Sequence, residues 1–239
     1  MCLLAVLWRT TAGAPLVVAA NREEDYARGG EPPRRLGGGV VAGVDPAQGG
    51  TWLGVNRHGV LVAVTNRRKS VLPPAPRSRG LLARDLLALP SAAEAVTEAV
   101  RQLERGAYAG CNFLCADGRD ALVVHAGDWL RVRPLPPGVH VLSNADVNDP
   151  SDPRVRYALG WLAGRPLSAA EEALPALETL CASHEPTGHP VCFRGETRGT
   201  VSGSLLALRP DLSGSTYLHA QGPPDRTPYV DVSGLLRGL

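Results

Sequence analysis

Short apolar runs dominate the first third of the chain. Leu3 to Trp8 is one, and Leu16 to Ala20 is a second that ends in Asn21-Arg22-Glu23-Glu24. Val40 to Val44 is a third, and Gly49-Gly50-Thr51-Trp52-Leu53-Gly54-Val55 leads into a fourth. Asn56-Arg57-His58-Gly59 has the composition of a hairpin turn, its glycine able to supply positive φ. Val60 to Thr65 then runs back as a strand and delivers Asn66 at its end. Closely spaced strands joined by short turns predict antiparallel pairing.

Arg67 to Arg79 interrupts this pattern, because Pro73-Pro74 and Pro76 exclude regular structure and mark a surface loop. Ser78 is placed to cap a helix over Gly80 to Leu89. Ser91 caps a second over Ala92 to Arg105, with Glu94 at the capping-box position. Strand patterns resume at Cys111 to Ala116, Ala121 to Ala126, Trp129 to Arg133 and Val139 to Leu142. Pro153 to Ala163 reads as a helix with proline in its first turn, and Ser168 as the cap of another from Ala169 to Cys181. Val191 to Arg194, Thr200 to Leu208 and Ser215 to His219 return to strand. Antiparallel strands alternating with helix pairs predict an α+β chain of two sheets packed face to face and flanked by helices. No repeat and no long linker divides the sequence, so residues 1–239 are expected to form a single domain.

At 239 residues, 44% hydrophobic and 20% charged, the chain can bury a substantial core and is too apolar for disorder. A net charge of +2 makes no strong electrostatic case for nucleic acid or membrane, and no apolar stretch is long enough to span a bilayer. Lys69 is the only lysine among 25 basic residues, which reads as base-composition bias rather than phosphate recognition. Leu3 to Leu7 lacks the basic flank of a signal peptide, and the five cysteines then suggest reduced thiols in a cytoplasmic protein.

The chemistry concentrates at Met1-Cys2. Removal of the methionine would leave a cysteine whose thiol nucleophile and α-amine, of pKa about 8, share one residue. The simpler reading of the same cysteine is an apolar residue opening a buried strand.

Several blocks together resemble the NRDE family, also called the transport-and-Golgi-organisation family. They are Met1-Cys2, Ala20-Asn21-Arg22-Glu23-Glu24, Gly49-Gly50-Thr51-Trp52-Leu53-Gly54, Thr65-Asn66, Ser78-Arg79-Gly80, Asn112-Phe113-Leu114 and Leu142-Ser143-Asn144-Ala145. Val191-Cys192-Phe193-Arg194 followed by Gly199-Thr200 is a weaker match. The resemblance implies the four-layer αββα sandwich of the N-terminal-nucleophile hydrolases. It implies Cys2 as nucleophile, Glu23 orienting the α-amine, and Asn66 and Asn144 as oxyanion donors, with Asn21, Arg22 and Trp52 at the substrate pocket. Two positions depart from the family pattern: its namesake aspartate is Glu23 here, and the arginine expected after Gly-Thr is Val201.

Cys181, His184, His189 and Cys192 bring four residues of metal-ligating type into one short segment. The spacing is tight for a zinc finger and Pro186 and Pro190 stiffen it, so the segment reads as a solvated loop and no metal is expected. Cys111 and Cys115 share one face of a strand and should pack in the core. Two functions compete. One is hydrolysis of a small amide or acyl bond through Cys2, with no cofactor. The other is non-catalytic haem binding or trafficking, with Cys2, His184 or His189 as iron ligands.

Overall fold

Gly13, at φ +69°, turns the chain between β1 (Leu3–Thr11) and β2 (Ala14–Asp25), which pair from Leu3↔Asn21 to Thr11↔Ala14. The computed structural model describes residues 2–239. They fall into two compact units, one built from residues 2–29 and 137–238 and the other from residues 30–136. β2 is longer than its apolar run. The polar block Asn21 to Asp25 belongs to the strand rather than following it. A strand tolerates polar side chains when neighbours on both sides satisfy its backbone, and β2 has such neighbours.

The second unit is a seven-stranded antiparallel meander. Its strands are β3 (Glu31–Leu36), β4 (Val40–Val44), β5 (Leu53–Asn56), β6 (Leu61–Asn66), β7 (Cys111–Ala116), β8 (Ala121–Ala126) and β9 (Leu130–Pro134), in that spatial order. Sequence patterning missed β3, which is charged and carries Pro32-Pro33; an edge strand accepts proline because one side needs no ladder bonds. Between β6 and β7 the chain forms α1 (Arg79–Leu86) and α2 (Ala92–Leu103), each with the serine cap expected from sequence. Both helices cover the sheet face that presents Val62, Cys111, Phe113 and Cys115. Each large side chain buried there contributes about 1.5–3 kcal/mol.

Returning to the first unit, β10 (Gly138–Leu142) precedes α3 (Pro153–Ala163) and α4 (Ala170–Cys181). β11 (Arg198–Leu208), β12 (Thr216–Ala220) and β13 (Val230–Asp231) follow, giving an antiparallel sheet of order β10-β1-β2-β11-β12-β13. α3 and α4 pack on Leu3, Ala5, Leu7, Val17 and Ala19, the odd-numbered face of the hairpin. Ser168 does not cap α4. Ala169 holds the cap position without a side-chain bond, and the Ser168 hydroxyl donates to Glu172 instead (3.1 Å). Residues 191–194 form no strand beyond a single bridge, Arg194↔Gly199. β13 is short and was not signalled by any apolar run.

The Gly-Gly-Thr-Trp-Leu-Gly block is a packing device. A Cβ on Gly50 would lie 2.5 Å from the carbonyl carbon of Gly80, and the Thr51 N–H donates to the Gly80 carbonyl at 3.0 Å. Backbone meets backbone there, so neither side can yield. Gly50→Ala is therefore expected to cost about 3 kcal/mol of unfolding free energy. Gly160→Ala, on an exposed turn of α3 with nothing within 4 Å, should be neutral or gain about 0.5–1 kcal/mol. Urea midpoints of the two variants against the parent check both signs.

Burial pushes the thiols of Cys111, Cys115 and Cys181 up to about 12. A raised folded pKa means the contribution is whole below the unfolded thiol pKa of about 8.5 and lost as pH rises towards the folded value. Each such thiol should steepen the alkaline loss of stability by about 1.4 kcal/mol per pH unit. Comparing Cys115→Ala with the parent at about pH 8.5 and 10.5 should show a curve flatter by about 2–3 kcal/mol.

Candidate active site

Cys2 lies one residue before β1, beside the end of β2 that carries Asn21 to Glu24. Its residue surface is half-buried. Burial of the thiol is the largest influence on its pKa and pushes it up. The backbone N–H of Glu23, which donates to the sulfur, and the nearby Arg22 charge pull the other way, while the Glu23 charge adds to the rise. The group is thus held as a thiol, and a thiol becomes a nucleophile only when a base takes its proton.

Glu23 is buried, its side chain only 1% exposed, and it faces Arg154, whose guanidinium donates to its carboxylate. Arg154 stands in the first turn of α3. Asp152 caps that turn, accepting from the N–H of Arg154 (2.8 Å) and of Val155 (3.3 Å). The Ser143 hydroxyl donates to the other oxygen of Asp152. A continuous line of contacts therefore runs from Ser143 through Asp152, Arg154 and Glu23 to Cys2. Asn144 lies two residues beyond the end of β10, in the turn that follows it.

Arg22 is also buried; it donates to the Gly29 carbonyl (2.6 Å) and pairs with Glu24 (3.7 Å). Asn21 points towards the helices. Its amide nitrogen donates to the carbonyls of Cys181 (2.8 Å) and Val191 (3.1 Å), so it fastens β2 to the end of α4 and the segment after it. Val201 falls at a register shift in β11, between Thr200↔Glu23 and Ser202↔Arg22. The two remaining sequence candidates belong to the second unit. Asn66 is the exposed last residue of β6, opposite Cys111. Trp52 is half-buried, and its ring occupies the space that a Cβ on Gly43 would need.

Sequence reasoning missed Arg154, Asp152 and Ser143. Asp152-Pro153 is a legible helix start, but nothing local says that the next arginine meets a carboxylate 131 residues away. It also missed Asp225, whose carboxylate accepts from the Cys192 thiol (3.3 Å) and engages His184 (3.1 Å) and Arg194. Cys192 and His184 are thus parts of a polar cluster. Among the described residues no three His, Cys, Asp or Glu side chains gather as a metal centre would need. No described helix is long and apolar enough to cross a membrane.

The fold is shared with solved hydrolases. An N-acylethanolamine-hydrolyzing acid amidase orthologue from Caenorhabditis elegans matches 86% of this chain and 92% of its own, at a TM-score of 0.59 and 15% identity. A penicillin V acylase from Agrobacterium tumefaciens matches 98% of this chain and 88% of its own, at 0.60 and 16% identity. The architecture is the α+β fold of the N-terminal-nucleophile hydrolases, with the two antiparallel sheets and four helices expected from sequence. Residues 1–178 match the family model described as Transport and Golgi organisation 2, and the chain belongs to that family. The human Transport and Golgi organization protein 2 homolog is 31% identical over 145 residues, covering 56% of this chain. That match spans 52% of the human protein, about half its length.

The Arg154–Glu23 pair sets a stability test. Arg154→Ala would leave a buried carboxylate without its cation and should cost about 3–5 kcal/mol in urea unfolding. Exchanging both partners, as Glu23→Gln with Arg154→Met, should recover a large part of that loss, because no uncompensated charge remains.

Proposed function

We propose that this protein is a cysteine N-terminal-nucleophile hydrolase that cleaves a small amide or related acyl bond through Cys2. The observation that carries the reading is where that thiol sits: one residue before β1, accepting from the Glu23 N–H and beside the Glu23 carboxylate that Arg154 fixes. Such a group needs a base delivered with it, and loss of Met1 would supply one as the α-amine of Cys2. The amine takes the thiol proton as sulfur attacks the carbonyl carbon. It returns that proton to the departing amine, and water, deprotonated by the same base, then releases the acyl group. Asn144 enters as an oxyanion donor by family resemblance, a role typically worth about 3 kcal/mol. Asn66 enters the proposal by family resemblance alone. The structural neighbours named as an amidase and an acylase support the same reaction class.

Haem carriage is the competing reading, and it gains less support. Of its conceivable iron ligands, Cys2, His184 and His189, His184 is engaged with Asp225 (3.1 Å).

Intact mass combined with a thiol-selective acylating probe tests the proposal. Met1 should be absent, and Cys2 should be acylated at a rate that falls as the α-amine protonates below about pH 8. Cys2→Ala should abolish the reaction, and an N-terminally blocked form should lose about 10²–10⁴-fold. A retained Met1, with Cys2 unreactive toward the probe across the pH range, would leave no activated nucleophile and end this reading.

A further inference from the structure

In the second unit, the loop between β6 and α1 and the turn between β8 and β9 meet at one corner. The Ser70 backbone N–H and hydroxyl donate to the two oxygens of Asp128, at 2.7 and 2.8 Å. Val71 and Leu72 follow Ser70 in the loop and Trp129 follows Asp128 in the turn, so these bonds join the two segments that carry them. The three are 77%, 59% and 51% exposed, and they are three of the five large apolar side chains that the described residues expose. Pro73, Pro74 and Pro76 stiffen the loop, so little order has to be gained on contact.

Cations surround the apolar tip. The guanidiniums of Arg67 and Arg131 lie over the Trp129 ring, 5.2 and 5.0 Å from its centroid, and Arg68 and Lys69 precede Ser70 in the loop. Two carboxylates share the corner: Asp128, which is saturated by Ser70, and the exposed Glu104 at the end of α2. Four cations therefore outnumber two anions around an exposed tryptophan and two aliphatic side chains.

We propose that this corner docks peripherally on an anionic lipid bilayer. Val71 and Leu72 enter the interfacial layer, Trp129 sits at headgroup level, and the exposed Arg68 and Arg131 meet the lipid phosphates and carboxylates. Lys69 donates to the Tyr108 carbonyl (3.2 Å) and Arg67 to Asn112 (3.3 Å), and both add charge behind them. An amphipathic ring with one apolar body and a polar edge is suited to that depth, and each basic side chain near the surface adds attraction that salt screens. An acidic protein segment would match the cations, but it would leave two aliphatic side chains at the tip of a stiff loop with nothing to bury them. The proposal is independent of the chemistry at Cys2.

Flotation of the purified full-length protein with vesicles tests it, using phosphatidylcholine with and without about one-third phosphatidylserine. Binding should require the anionic lipid and weaken with salt. Val71→Ser with Leu72→Ser should lower partitioning by about ten-fold or more without changing the far-ultraviolet spectrum, since both side chains are already in water. Arg68→Glu with Arg131→Glu should lower it similarly and flatten the salt dependence. Ser70→Ala, which loosens the loop from Asp128 while keeping every apolar and charged group, should give a smaller loss. The proposal is overturned by equal partitioning of the serine variant and the parent. It is also overturned if anionic vesicles fail to float the protein at low salt, or if an acidic peptide binds the corner and vesicles do not.

Discussion

A carboxylate as deeply buried as that of Glu23 cannot stay charged without a cation, and Arg154 supplies it. This pairing ties the end of β2 to the first turn of α3, and so ties the sheet to the helix layer over it. Because Asp152 both caps α3 and accepts from Ser143, the turn after β10 is drawn into the same assembly. A buried ion pair contributes little net stability against an apolar replacement. What it does contribute is position, since breaking it on one side only is strongly unfavourable. Cys2 inherits that position, because the N–H it accepts from belongs to Glu23.

Two positions depart from the family pattern. Glu23 is one methylene longer than aspartate, and Val201 stands at a bulge in β11 where the pattern has arginine. The cation at the Glu23 carboxylate is Arg154 from α3, which leaves a charged pair buried at the strand end. The thiol beside it is raised by burial and thus depends on a base rather than on a standing thiolate.

The family blocks of the second unit work differently. Gly50 against Gly80, Gly43 under the Trp52 ring, and Gly54 against Leu87 are places where a Cβ would collide. Asn56 donates to the carbonyls of Leu87 and Leu89 and accepts from the N–H groups of His58 and Val60, closing the hairpin and the end of α1 with one side chain. Asn112 likewise links Thr65 and His125 in a buried polar row across β6, β7 and β8. These residues shape this unit by close packing and hydrogen-bond satisfaction.

The sequence alone determined those parts of the protein whose causes are local. The serine caps of α1 and α2, the proline-rich loop, α3 from Pro153 to Ala163, and strands β7 and β8 could be read from periodicity and punctuation, because 3.6 and 2.0 residue repeats follow from backbone geometry. The prominence of Cys2 and the NRDE-like block was also legible. Only the tertiary structure decided that this block continues β2, that β3 pairs at an edge despite two prolines, and that residues 191–194 do not form a strand. Each of those outcomes depends on which neighbour supplies or withholds backbone partners. It alone decided that Arg154 meets Glu23, that Asn21 bonds to α4, and that Asp225 gathers Cys192, His184 and Arg194. Side chains far apart in sequence leave no local trace of their meeting, since the contact exists only after sheet order and helix placement have brought them together.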